Sequence, residues 1–319
     1  MMSGRRTRSR LSANYMSFFV PQQYGQFFEE VTQRFRLLIR KGVLSKIDEI
    51  VLDKWLSNFV SAQDKYLAAR ILDGLIFRSE PMLYSSIDQL LQCVLPSQLR
   101  QWDAYGATCI EEFLASLKAG ESSHPVRFVA IDRSFANEEP GKSGDIIIRH
   151  LRQHGQVART LTCSPEAILS LPESVKVLIF IDDIIGSGKQ FKKFAKFHRL
   201  DEHAARFRSL YCPMMAYDDG VAAVKLAHPW LSVSPIELLS ARHRFYFADP
   251  KNANTWAMDR ANLLADVREH VNGIALAADI PVATKYSLEL LVAFDHSTPN
   301  NTLPLLWAHS DKWHPLLTR

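Results

Sequence analysis

The sequence is short of the features that would place it in several large classes. It has only four cysteines, Cys93, Cys109, Cys163 and Cys212, and no two of them form a CxxC pair. That excludes a disulfide scaffold or a zinc ribbon and points to reduced, mostly buried thiols in a cytoplasmic protein. No apolar run approaches the roughly 20 residues that a membrane span needs. There is no internal repeat and no low-complexity tract. Charge of one sign is also lacking: 38 basic against 34 acidic residues leave a net +4, too little to name a nucleic-acid partner. What remains, 47% hydrophobic and 23% charged in 319 residues, is the composition of a globular chain with one large or two smaller domains. The opening MMSGRRTRSR carries basic residues but no adequate apolar core after it. It reads as a basic disordered tail over 1–20, able to touch a polyanion, rather than a signal peptide.

The densest stretch runs from Val177 to Phe191, VLIFIDDIIGSGKQF. Five apolar residues, Val177 to Ile181, read as a strand buried on both faces of a parallel sheet. Asp182 and Asp183 follow at once. Gly186, Ser187 and Gly188 form a tight turn, and a helix begins at Lys189. This order sets carboxylates at the carboxyl end of a strand and free N–H groups at a helix N-terminus, where open α/β sheets bind ligands. A Walker A loop does not fit. Gly188-Lys189 is present, but Asp183 stands at the first position and Gln190 at the last. The plain alternative is a buried strand ending in a polar turn, although adjacent acids after such a strand are costly unless they bind something.

The rest of the chain divides by period. Residues 21–121 read as a helical region. Phe27, Phe28, Val31, Phe35 and Leu38 mark one face, ended by Gly42. Ser45 with Asp48 reads as a capping-box start before Ile47, Val51, Trp55 and Phe59. Leu67, Ile71 and Leu75 mark a third helix. A fourth follows Pro81 and stops at Pro96, and a fifth from Ile110 closes at Gly120. Residues 122–245 switch to alternating strands and helices: Val126 to Ile131, Val157 to Cys163, the central strand, Phe207 to Ala216 interrupted by Pro213, and Leu231 to Leu239. About five parallel strands with right-handed crossovers follow from this. Asp218-Asp219-Gly220 reads as a turn or as further acids at the sheet edge. On the helix from Lys189, Lys192, Lys193 and Lys196 continue a positive stripe, a solvated face or a surface for nucleic acid. Residues 246–319 form an extension, with a helix over about Thr255 to Ala275 and a strand from Leu288 to Phe294. Its last residues hold Trp307, Trp313 and several Leu, which need burial, so the extension is expected to pack back on the core.

The central stretch resembles the phosphoribosyl pyrophosphate (PRPP) motif of type I phosphoribosyltransferases. With the Trp-Leu-Ser-Asn-Phe segment at Trp55 and the Pro-Asn-Asn-Thr-Leu-Pro segment of the tail, the chain resembles a bacterial group of such proteins found in conflict and anti-phage defence neighbourhoods. The resemblance implies an α/β fold with a parallel five-stranded sheet flanked by helices, and transfer of a phosphoribosyl group with Mg as cofactor. Asp182 and Asp183 would hold the ribose hydroxyls, directly or through the metal. Gly186, Ser187, Gly188, Lys189 and Gln190 would wrap the 5-phosphate. Asp132, Arg133 and Ser134, with Ser143 and Gly144, would meet the pyrophosphate, and Arg133 would stabilise its departure. Two departures stand out. Gln190 replaces the usual Thr or Ser, and Gly186 replaces the Asp that serves as base in the hypoxanthine-guanine branch. His296 and Asn301 read first as turn caps, with reach to the site edge as the other reading. Three functions are consistent with these residues: a transferase; a catalytically silent PRPP or nucleotide sensor; and a nucleic-acid-bound subunit, with protein partners encoded nearby.

Overall fold

A computed structural model of the chain describes residues 18–131, 143–251, 253–284 and 287–319. Its centre is a parallel sheet. Strands β2 (Val126–Ala130), β3 (Thr162–Cys163), β4 (Val177–Ile185), β5 (Arg208–Tyr217), β6 (Leu231–Val233) and β7 (Glu237–Leu239) stand in the order β3-β2-β4-β5-β6, with β7 also on β5. Every pairing is parallel. β6 meets Ser209 to Tyr211 and β7 meets Met215 to Tyr217, on the side of β5 away from β4. The sheet therefore has five positions, the last split in two. The single strand expected over Leu231 to Leu239 breaks at Pro235, which cannot donate to a ladder.

The crossovers explain the sequence pattern. Helix α7 (Ser143–Gln153) links β2 to β3, α8 (Lys189–Phe197) links β4 to β5, and α9 (Asp218–Ala227) links β5 to β6. Val177, Ile179 and Ile181 bury one face of β4 against Ile147 and Leu151 of α7. Leu178 and Phe180 bury the other against Phe191 and Phe194 of α8. Two-sided burial is why Val177 to Ile181 carry no polar break. Two expectations change here. β4 does not stop at Ile181 but runs through both acids to Ile185, because β5 stays in register beside it, with Pro213 opposite Asp182 and no interruption. Asp218 and Asp219 stand at the carboxyl end of β5, as the sheet-edge reading has it, and open α9 rather than a turn, where acids suit the helix dipole. β3 is also shorter than the expected Val157 to Cys163, since a 3-10 turn occupies Arg159–Leu161.

The helical front comprises α1 (Tyr24–Arg40), α2 (Glu49–Leu56), α3 (Ala62–Asp73), α4 (Glu80–Gln89), α5 (Leu95–Gln101) and α6 (Ile110–Ala119). Asp48, not Ser45, caps α2, accepting from the Val51 N–H at 2.7 Å. Ser45 instead bonds Asp295. Pro96 does not end the fourth helix. A π turn over Leu90–Val94 widens the backbone, the Leu95 N–H bonds Leu90 O, and Pro96 falls in the first turn of α5, where no donor is needed. The front is split between two cores. Residues of α4 to α6 lie under the sheet. Those of α1 to α3 share a separate cluster with α10 (Leu264–Ala277) and the tail, including Trp256, Leu305, Trp313 and Leu317. There the indole N–H groups of Trp55 and Trp313 donate to the same carbonyl, Leu305 O, at 2.9 and 3.2 Å.

One element had no sequence signal. β1 (Ile76–Arg78) pairs in parallel with β8 (Val292–Phe294), tying the front to the extension. Short α11 (Pro304–Trp307) follows. Cys163 and Cys212 are wholly or half buried, whereas Cys93 and Cys109 are exposed, so burial holds for only two of the four thiols. Among the described residues no helix is long and apolar enough to cross a membrane.

Candidate functional site

The acid pair sits two and three residues before the end of β4, and the sheet buries it. Asp182 is 1% exposed and Asp183 6%. Four elements converge on Asp182. Its Oδ1 accepts from the Asp183 N–H at 3.0 Å and from Ser143 Oγ, on the first turn of α7, at 3.5 Å. Its Oδ2 accepts from Tyr211 Oη of β5 at 3.0 Å and from Gln190 Nε2 of α8 at 3.4 Å. Asp183 Oδ1 accepts from the Ile184 N–H at 2.7 Å, and its Oδ2 lies 3.4 Å from His296 Nε2. Burial first, and the neighbouring Asp183 second, push the Asp182 carboxyl well above the usual carboxylate range; the Tyr211 bond pulls the other way. Burial and the Asp182 charge push the Tyr211 phenol up in turn. Without a ligand, the site therefore favours a protonated Asp182.

Glycines set the loop beside the acids. Gly188 has φ +72° and forms the left-handed entry to α8. A Cβ at Gly220 would lie 1.9 Å from Gly186 O, so the loop rests directly on the first turn of α9. A Cβ at Gly144 would lie 2.5 Å from Ile131 O, which lets α7 begin against the end of β2. Gly186 and Ser187 are half-buried and Lys189 is exposed. The loop thus brings Gly186, Ser187, Gly188, Lys189 and Gln190 together beside Asp182, and Ser143 and Gly144 come from the neighbouring helix. Asp132, Arg133 and Ser134 lie outside the described residues.

Three site residues were not singled out from the sequence, or were read first as something else. Tyr211 is missed entirely; its signal is a phenol inside an apolar strand, which needs a partner when buried. His296 and Asn301 do more than cap turns. His296 meets Asp183, stacked on Phe294 at 5.3 Å. The Asn301 carboxamide lies over Gly186, its Oδ1 2.2 Å from where a Cβ would stand. That space is where the hypoxanthine-guanine branch would carry its acid.

Among the described residues no three His, Cys, Asp or Glu side chains group to hold a metal. Two adjacent carboxylates are nonetheless a suitable donor set for Mg²⁺, which takes one or two carboxylates and completes its shell with water and substrate oxygens. A groove of about 460 Å³ lies far from this chemistry, lined by Tyr24, Phe27, Tyr66, Arg70 and Asp259 of the front and extension. Arg70 is already committed there, bonded to Tyr66 Oη and Thr255 O. No curated protein and no solved structure matches the chain. The acid pair, the glycine loop and the tail that reaches them all fall within residues 52–319, which match the PRTase-CE family model, and the chain belongs to that phosphoribosyltransferase-type family.

Proposed function

We propose that the protein binds PRPP with Mg²⁺ and transfers its 5-phosphoribosyl group from pyrophosphate to a nitrogen acceptor, as a component of a bacterial defence system. The observation that carries the transferase reading is the convergence of α7, α8 and β5 on Asp182 at the carboxyl edge of the sheet. In this reading Asp182 and Asp183 take the ribose hydroxyls as paired acceptors. The loop from Gly186 to Gln190 takes the 5-phosphate with its N–H groups, the Ser187 hydroxyl and the Lys189 charge. Ser143 and Gly144, with Arg133 and Ser134, take the pyrophosphate. Asp182 and Asp183 would hold the metal, whose charge would offset that of the pyrophosphate. Transfer then depends on positioning and on stabilising the departing pyrophosphate, with no covalent nucleophile required. The defence assignment rests on the resemblance of the Trp55 and tail segments alone.

A second reading has its own support. Both acids are buried and each already has a protein partner, Tyr211 for Asp182 and His296 for Asp183. A site so closed also suits a catalytically silent PRPP or nucleotide sensor. Pyrophosphate release from PRPP and Mg²⁺ with a panel of bases separates the two. Release supports the transferase. Stabilisation of the fold by PRPP without release at any base supports the sensor. The double variant Asp182→Asn/Asp183→Asn is expected to stay folded and lose PRPP-dependent stabilisation; unchanged stabilisation would refute the ribose assignment. Nucleic acid bound through the lysine stripe of α8 would show as affinity that falls steeply with salt.

A further inference from the structure

We propose that the outer face of α8 binds a single strand of nucleic acid, with Lys192, Lys193 and Lys196 on its phosphates and Phe197 against a base. These side chains take no part in the acid pair or the glycine loop and are independent of the sugar-phosphate reading. Phe191, Phe194 and Ala195 bury the inner face of the helix. With about 3.6 residues per turn, Lys189, Lys193 and Lys196 fall on the opposite face, and all three are exposed. Lys192 is half-buried on one flank, and Phe197 is 57% exposed on the other. α9 packs beside α8 and runs in the same direction, since both cross between parallel strands on one face of the sheet. Its exposed Lys225 and Leu226 therefore lie at the same end as Lys196 and Phe197.

The helix carries this charge at its own expense. α8 has no acid in its first turn; Lys189 and Lys192 stand instead at the positive end of the helix dipole. Lys189 with Lys193, and Lys192 with Lys196, are like charges four residues apart, which destabilise a helix. No acid from elsewhere offsets them: among the described residues none of these four lysines makes an ion pair. The acids just past the helix are engaged, Glu202 by Arg199 and Asp201 by His228 and Trp230. Lys189 has an anion to meet in the glycine loop, but the other three have none. The chemistry of the face selects the occupant. From Lys189 to Lys196 the stripe covers about 10 Å of helix axis, room for about three phosphates at the spacing of one strand. An exposed phenyl ring is a stacking platform for an unpaired base. It offers nothing to a duplex, whose bases stack on one another, or to an acidic peptide, which would meet the lysines alone.

The test is fluorescence anisotropy of the full chain with a labelled oligothymidylate of about 20 nucleotides, titrated over a series of salt concentrations. Contacts to about three phosphates predict that log affinity falls against log salt with a slope of roughly −2. Lys192→Gln/Lys193→Gln/Lys196→Gln keeps helix propensity and so the fold. It is expected to bind about 10- to 100-fold more weakly near 0.1 M salt and to flatten the slope by roughly 2. Phe197→Ala should weaken binding about 5- to 150-fold with the slope unchanged. A duplex of the same length should bind the unmodified protein more weakly and be indifferent to Phe197→Ala. A triple variant that binds like its parent would place the strand on other cations and overturn the proposal, as would an unmodified protein that binds no oligonucleotide. Full affinity in Phe197→Ala, or displacement of the oligonucleotide by polyglutamate at equal charge, would mark a surface for acidic protein and overturn it too. PRPP-dependent stabilisation, followed on the same variants, is expected to match that of the parent, so this surface and the sugar-phosphate site stand or fall separately.

Discussion

Asp182→Asn is expected to stabilise the ligand-free protein, the opposite of what losing a buried, fourfold hydrogen-bonded side chain ordinarily does. Burial of a carboxylate costs several kcal/mol after relaxation. The Asp183 charge adds about 3 kcal/mol if the two groups are roughly 5 Å apart at an effective dielectric of ~20. Donation from Tyr211 and from the Asp183 N–H returns part of this, about 1.5–3 kcal/mol for a bond to a charged group. The balance favours the protonated form of Asp182, which is why its folded pKa stands above the ordinary value. The folded chain then holds a proton that the unfolded chain has released. Stability falls as pH rises from the unfolded value of about 3.9, and the deficit is complete above the folded value. Asparagine keeps the shape and an acceptor for Tyr211, gives up the acceptor for the Asp183 N–H, and has no proton to lose. A gain of about 1–3 kcal/mol near neutral pH follows, or a Tm higher by about 1.5–4.5 °C in a chain of this size.

Urea unfolding of both proteins across a pH series measures this directly. The unmodified protein should lose stability from pH ~4 upward, and the variant should show a flatter profile with the same m-value. A variant less stable than the parent near neutral pH, or one with the parent's slope, would refute the account of Asp182 as a strained acid. The same variant should lose PRPP-dependent stabilisation. Gained stability together with lost binding is the mark of a residue kept for a ligand rather than for the fold.

Four further outcomes follow from the geometry. Tyr211→Phe removes one donor from Asp182; it should lower urea stability by about 1 kcal/mol and carry the decline of stability on to higher pH. Gly220→Ala would press a methyl group against Gly186 O; differential scanning calorimetry should show a loss of about 2–3 kcal/mol, and PRPP should no longer raise the Tm, since the loop must shift. Trp313→Ala empties a buried site between Phe59 and Leu305 and should cost about 3–5 kcal/mol in urea unfolding. Trp55→Phe should cost less, about 1–3 kcal/mol, because Leu305 O keeps its bond from Trp313.

The parts of the fold legible in the sequence are those whose cause is local. Val177 to Ile181 declares a strand buried on both faces because each side chain, odd or even, meets a helix layer. Gly42 and Gly120 end their helices in the left-handed region, as their position after an apolar stripe suggests. What escaped detection depends on partners distant in the chain. Three residues, Ile76 to Arg78, are too few to show a period, and β1 exists only because β8 lies beside it. Pro96 reads as a stop until the preceding π turn frees it from donating. Asp182 and Asp183 announce a site, but Tyr211, which bonds one of them, is 29 residues away in another strand. His296 and Asn301 come from a segment whose composition suggests only turns. The segment of Asn301 is fixed by Thr302 and Leu290 and that of His296 by Arg78, which no pattern around them reveals.

Arg78 shows why the helical front and the tail belong to the site rather than to separate modules. Its carbonyl accepts the Asp295 N–H at 2.9 Å, immediately before His296, the partner of Asp183. Its guanidinium donates from Nε to Glu237 Oε2 of β7 at 2.8 Å and also bonds Oε1. β7 lies on β5, the strand that carries Tyr211 to Asp182. One residue of the front thus links the end of β8, next to His296, to β7, which pairs with the far end of the strand that carries Tyr211, through a half-buried fork whose paired N–H groups fix direction as well as distance. The Phe294 ring beneath His296 belongs to a small core shared by β5, β7 and β8, with Met215, Tyr217 and Leu239. Displacing β1 would therefore move the His296 side of the site relative to the Tyr211 side. The spacing of the acids' partners is set by the packing of the helical front as much as by the sheet that carries the acids.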